Sequence, residues 1–131
     1  MHRTFLLFGA LFGGLAVVLG AFGAHGLLNI TSDEKILHGF QTAVQYQMYH
    51  ALGLLAVGML YAQINSKLLK WAGYFFITGI LLFSGSLYAM TAIKVSEITG
   101  FDKIGIITPI GGIFFIAGWL LLFVALLKKK S

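Results

Sequence analysis

The chain has no cysteine, a single proline and only four acidic residues in a length of 131. Without cysteine there can be no disulfide, no thiolate nucleophile and no cysteine-type zinc site. Charge of either sign is scarce. Nine basic and four acidic side chains make 10% of the sequence, against about 25% in a typical soluble domain. A soluble fold this small has a large surface for its volume, and thirteen charges are too few to cover it. A soluble enzyme, a disordered segment and a nucleic-acid-binding module all fit poorly. What the chain has instead is apolar residues, at 59% of the total, and a mean hydropathy of +0.93.

The apolar residues fall into four runs. A bilayer core of about 30 Å is crossed by about 20 mostly apolar residues in a helix, and residues 4–28, 44–64, 68–93 and 105–127 all meet that length. The runs are too long for strands and lack period-two alternation. The expectation is therefore all-α: one integral membrane domain over 1–131, a bundle of four transmembrane helices. The first run also has features of a signal peptide, with a basic start at His2 and Arg3 and small residues around Ala21 and Gly23. Its apolar character continues through that position, so an uncleaved span is the simpler reading. The turn at 65–67 is so short that the second and third spans must be antiparallel neighbours.

The net charge of +5 is mostly a topology signal. With four spans, Arg3, Lys67, Lys70, Lys128, Lys129 and Lys130 share one side and no acidic residue joins them. Lys35, Lys94 and Lys103 lie opposite, together with Asp33, Glu34, Glu97 and Asp102. The excess of Lys and Arg predicts both termini in the cytoplasm. The terminal lysines also suit contact with anionic lipid headgroups. The lipid bilayer is thus the expected surrounding, with a homo-oligomer or a larger membrane complex as possible assemblies and no nucleic-acid partner.

In lipid, helices associate through close backbone packing and interhelical hydrogen bonds rather than apolar burial. Gly9, Gly13, Ala16 and Gly20 lie on roughly one face of the first span. That face suits packing against another span, or alternatively a homodimer contact. Around Gly85, the hydroxyls of Ser84 and Ser86 can bond to a preceding turn or to a neighbour, and the glycine suggests a notch for close approach. Thr108-Pro109 reads as a helix start, with Thr108 capping and Pro109 in the first position. Gly111 and Gly112 follow as further packing positions. Trp71, Tyr74 and Trp119 are expected as interfacial or bundle aromatics.

The stretch 41–50 is the most informative. Gln41, Thr42, Gln45, Tyr46, Tyr49 and His50 cover one half of a helix. Thr31, Ser32 or Asp33 can cap it, so an amphipathic helix should begin on the outer surface and then enter the membrane. His25 ends the first span at a similar depth. Polar groups inside a membrane are costly unless paired, and ionisable ones there are functional hypotheses by default. The candidate cluster is His25, Gln41, Gln45, Tyr46, Tyr49, His50, Ser84 and Ser86. It reads either as a self-satisfied structural network, with His25 and His50 in contact, or as an outward-facing pocket between the first three spans. His25, His38 and His50 with Glu34 would suit zinc, but no tight ligand pair such as HxxxH exists, so no metal is expected. A proton relay would want an Asp or Glu within a span, and there is none. No catalytic triad, phosphate loop or paired intramembrane carboxylate is present, so neither an enzyme nor a cofactor is expected.

Four motifs occur in order along the chain: Gly20-Ala21-Phe22-Gly23-Ala24-His25, then Gln41-Thr42 with Tyr46-Gln47 and His50, then 82–88 around Ser84-Gly85-Ser86, then Thr108-Pro109-Ile110-Gly111-Gly112 with Gly118-Trp119. Together they resemble the YgdD-like family of small bacterial inner-membrane proteins. The resemblance implies a four-helix multi-pass protein of the plasma membrane. It supplies no activity, because that family is a domain of unknown function. Two roles remain as expectations: a non-enzymatic structural or accessory subunit, or a binder or carrier of a small molecule or lipid.

Overall fold

The computed structural model describes residues 1–129. Lys130, which entered the charge count above, lies outside them. Four long helices account for most of the chain, and no strand occurs among the described residues. The first helix is Arg3–Ala24. The second is Glu34–Leu60. The third runs over Lys67–Val95 and the fourth ends at Lys128, with its α-helical part Ile107–Lys128. The first, third and fourth are long and apolar enough to cross a membrane. The second is the polar one, carrying Gln41, Gln45, Gln47 and His50.

The second helix departs from the expected 44–64 at both ends. Its start precedes that apolar span by ten residues, at Glu34, where the capping expected of Thr31, Ser32 or Asp33 is made by Asp33, accepting from the Lys35 N–H at 2.9 Å. Thr31 in turn accepts from the Asp33 N–H at 3.1 Å. Hydropathy marks only the apolar part of such a helix, while hydrogen bonding carries it on through the polar part. At the other end the backbone tightens after Leu60. The N–H groups of Gln63 and Ile64 both reach the Leu60 carbonyl, and Ser66 caps the third helix at Leu68.

The third helix is not α-helical throughout. Between Lys67–Gly79 and Gly85–Val95 lies a π-helical turn, Ile80–Ser84. The fourth helix begins before its expected cap. A 3-10 turn, Asp102–Ile106, leads directly into it, which puts Pro109 inside the first turn, where a missing N–H costs nothing. Thr108 does not cap, because its hydroxyl bonds Ser86 of the third helix instead.

Successive helices run antiparallel. Gly20 lies against Val44 and Gly9 against Leu55, and Gly79 lies against Phe115 and Gly118 against Phe76. His2 closes the first pair by donating its backbone N–H to the Gly58 carbonyl at 2.9 Å. Its ring stacks on Phe5 at 3.7 Å, and its Nδ1 accepts from the Phe5 N–H at 3.4 Å. Burial, and after it the nearby Lys70, hold the His2 ring below its ordinary value of 6.5. The N-terminus, the 61–66 turn and the end of the fourth helix at Lys128 thus lie at one end of the bundle.

That end holds the apolar core, built on Phe5, Leu54, Val57, Leu69 and Phe76. The outward faces are also apolar. Leu7, Leu11, Leu15 and Val18 of the first helix are exposed, as are Ile113, Ile116, Leu120 and Phe123 of the fourth. Such continuous apolar surface matches a lipid surrounding rather than water. The opposite half of the bundle contains the polar side chains.

Candidate functional site

Of the nine buried residues of the second helix, six form one row: Phe40, Ala43, Gln47, His50, Leu54 and Val57, with Ala51, Gly53 and Gly58 beside it. The spacing alternates between three and four, so all six share one seam. Two of the six are polar, and each joins other helices.

Gln47 is 3% exposed. Its Nε2 donates to the Phe12 carbonyl of the first helix at 2.8 Å. Its Oε1 accepts from the Tyr88 hydroxyl of the third helix at 2.6 Å. One carboxamide therefore ties three helices together. His50, 4% exposed, ties the second helix to the fourth. Its Nδ1 faces the Tyr46 carbonyl at 2.7 Å, and its Nε2 accepts from the Trp119 indole N–H at 2.9 Å. A carbonyl on one side and an N–H on the other select the neutral tautomer with the proton on Nδ1. The ring is stacked on Phe115 at 3.5 Å, nearly parallel, and Phe76 meets it edge-on.

The π-turn supplies the third tie. Ser84 is fully buried and donates to the Ala43 carbonyl of the second helix at 2.7 Å. Ser86 donates back to the Phe83 carbonyl at 2.9 Å and shares a short bond with the Thr108 hydroxyl. The fourth helix comes close enough for this because Gly111 has no side chain. A Cβ there would fall on the backbone N and Cα of Phe83. Gly112 makes only ordinary contact with the Phe83 ring, and nothing approaches Gly85 within 4 Å. The notch expected at Gly85 therefore lies opposite Gly111.

The eight-residue polar cluster read from the sequence divides in two. His50, Ser84 and Ser86 are buried in the brace just described. His25, Gln41, Gln45, Tyr46 and Tyr49 are exposed. His25 is the C-cap of the first helix, where its backbone N–H bonds Phe22. It makes no pair with His50, whose two ring nitrogens are both engaged elsewhere. Gln41 and Gln45 line a crevice of about 140 Å³ with Gly20, Gly23 and Phe40, between the first and second helices. The glycine face of the first helix is used within the chain. Gly9 lies against Leu55 and the Ala51 carbonyl, Gly13 beside Ala51, and Gly20 against Val44.

Sequence reasoning missed Gln47, Tyr88, Thr108 and Trp119 as members of the network. The alternating spacing of the second helix contained the signal for Gln47, which falls in register with Phe40, Ala43, His50 and Leu54. Nothing local marks Tyr88 or Trp119, because their partners lie 41 and 69 residues away. Among the described residues no buried side-chain N or O atom lacks a hydrogen-bond partner. No three His, Cys, Asp or Glu residues converge there as a metal site would require.

The profile of DUF423, described as a protein of unknown function, matches residues 19–112. The chain belongs to the DUF423 family. The matched segment contains Gln47, His50, Ser84, Ser86, Tyr88, Thr108 and Gly111. Among DUF423-like relatives, a UPF0382 membrane protein of Staphylococcus epidermidis is 45% identical over 128 residues, covering 96% of this chain and 97% of the relative. The UPF0382 membrane protein YwdK of Bacillus subtilis is 43% identical over 127 residues, covering 96% and 98%. No solved structure matches the chain. The protein is a membrane protein, in keeping with these relatives and with its three long apolar helices.

Proposed function

We propose that the protein is a non-catalytic helical-bundle subunit of the bacterial inner membrane, crossing it four times with both termini in the cytoplasm. The YgdD-like motifs favour the same placement. The observation that carries the reading is that, among the described residues, every buried side-chain N and O atom is used in a hydrogen bond. His50 has no free ring nitrogen for a substrate or a metal, and Gln47 has both ends of its carboxamide engaged. Groups committed in this way fix helix register. The second helix is the fourth span in this reading, with Gln47 and His50 sheltered by the other three. Arg3, Lys67, Lys70, Lys128 and Lys129 then share the cytoplasmic side.

The alternative, a carrier of a small molecule or lipid, is supported by the crevice at Gln41 and Gln45. Its small volume suits a lipid chain segment better than a metabolite. Native mass spectrometry of protein extracted gently from its own membrane separates the two. The structural reading expects the bare chain or a defined protein assembly, and a His50→Ala variant that unfolds at lower temperature, by about 1–2 kcal/mol for the lost intramembrane bond. A stable added mass of a few hundred daltons (roughly the size of a single drug-like or lipid ligand), lost on Gln45→Leu with stability unchanged, would overturn it in favour of the carrier.

A further inference from the structure

The second helix has a second seam, opposite the buried one. His38, Thr42, Gln45, Tyr49, Leu52, Ala56 and Met59 are spaced alternately by four and three, which is the heptad rhythm of one helix packing along another. Among the described residues this seam is largely uncovered: His38, Gln45, Tyr49, Leu52 and Met59 are exposed, and Thr42 and Ala56 are half-buried. Tyr49 is 54% exposed, Leu52 56% and Met59 55%. The bonds between helices go to Gln47, His50, Ser84 and Ser86, and none reaches the side chain of Gln45 or Tyr49.

We infer that this seam is the contact surface for a second copy of the chain. The inference rests on the four-span reading above. In that reading Gln45 lies about 22 Å along the helix from Leu60, inside a hydrocarbon layer of about 30 Å, and Tyr49 lies near its middle. Acyl chains offer neither a donor nor an acceptor, so a carboxamide facing them goes unsatisfied. A second copy has the same orientation in the membrane and brings its second helix alongside in parallel. A carboxamide carries both donor and acceptor, so Gln45 meets its own counterpart across a two-fold axis and both are satisfied. Ala56 is small enough for close approach one heptad and a half further on. The small-residue face of the first helix cannot serve here, since the second helix already fills it.

The natural absence of cysteine makes the test direct. Leu52→Cys, oxidised in native membranes with copper phenanthroline, should give a disulfide-linked species of twice the chain mass. Ile113→Cys, 64% exposed on the fourth helix, should remain single. A monomeric Leu52→Cys, equal crosslinking of both variants, or an adduct of any other mass would overturn the inference. Gln45→Leu changes an exposed side chain and leaves the bundle intact. It should weaken dimer association in liposomes about tenfold, read by energy transfer between labelled chains, and unchanged association would remove Gln45 from the contact. An impermeant thiol reagent applied to Lys35→Cys and Gln63→Cys reads the span independently. Labelling of both from the same side would defeat the four-span reading whatever the crosslinks show.

Discussion

The second helix is held on its two sides by different means. Toward the first helix the contact is made by small residues, with Gly9, Gly13 and Gly20 admitting Leu55, Ala51 and Val44, and Gln47 supplying the cross-helix bond. Toward the third and fourth helices it is polar and aromatic, with His50, Trp119, Ser84 and Tyr88 in directed bonds. The third and fourth helices themselves meet backbone to backbone at Gly111. Flexible side chains line the first contact and can give way. Directed bonds and backbone atoms line the others and cannot, so the same small change should cost different amounts on the two sides.

Gly111→Ala should produce the largest effect. Its Cβ would overlap the Phe83 backbone, and a loss of about 3 kcal/mol is expected, at the upper end of overpacking costs. Gly9→Ala meets mainly the Leu55 side chain at 2.8 Å, which can shift, and should cost about 1 kcal/mol. Reversible unfolding in mixed micelles measures both, and equal losses would erase the distinction between the two sides. An intermediate effect is expected for the polar brace. A double-mutant cycle of Gln47→Leu with Tyr88→Phe should give a coupling of about 1 kcal/mol. Additive losses would mean that the bond spanning the two sides contributes nothing.

The smallest effect concerns the end of the bundle that has no brace. His2 binds its proton less readily folded than unfolded, because of burial and Lys70. Its contribution is therefore fully present above about 6.5 and is lost as pH falls through the lower, folded value. Unfolding midpoints should decline slightly from pH 7 toward pH 5. His2→Asn, which keeps a capping acceptor without a titrating ring, should flatten that decline, and an unaltered slope would assign it to another group.

Much of the fold was legible because it depends on long-range averages. Apolar runs locate the first, third and fourth helices to within a few residues, and the short 65–67 turn fixes an antiparallel pair. The site was less legible because its partners are distant in sequence. The helical wheel groups Gln41, Thr42, Gln45, Tyr46, Tyr49 and His50 on one half, yet Gln41, Gln45, Tyr46 and Tyr49 are exposed, while His50 shares the buried face with Gln47. Periodicity separates two faces of a helix but does not say which of them meets protein when both carry polar residues. His50 was singled out from its residue type, but its partner Trp119 looked like any other bundle aromatic. The hydroxyl of Thr108 was assigned to its own backbone by a local rule that a tertiary contact overrides.

The π-turn at Ile80–Ser84 works as a phase shifter in the third helix. Before it, Gly79 faces Phe115 of the fourth helix and Phe76 lies between the second and fourth; after it, Ser86 meets Thr108 of the fourth and Tyr88 meets Gln47 of the second. A regular α-helix advances about 100° per residue, and one residue taken from this turn would swing everything beyond it by that angle. The hydropathy profile would hardly change, yet Ser86 and Tyr88 would point away from Thr108 and Gln47. A length change of one residue here is a change of partners, and alignments of related chains should treat a gap in this segment as a rewiring of the bundle.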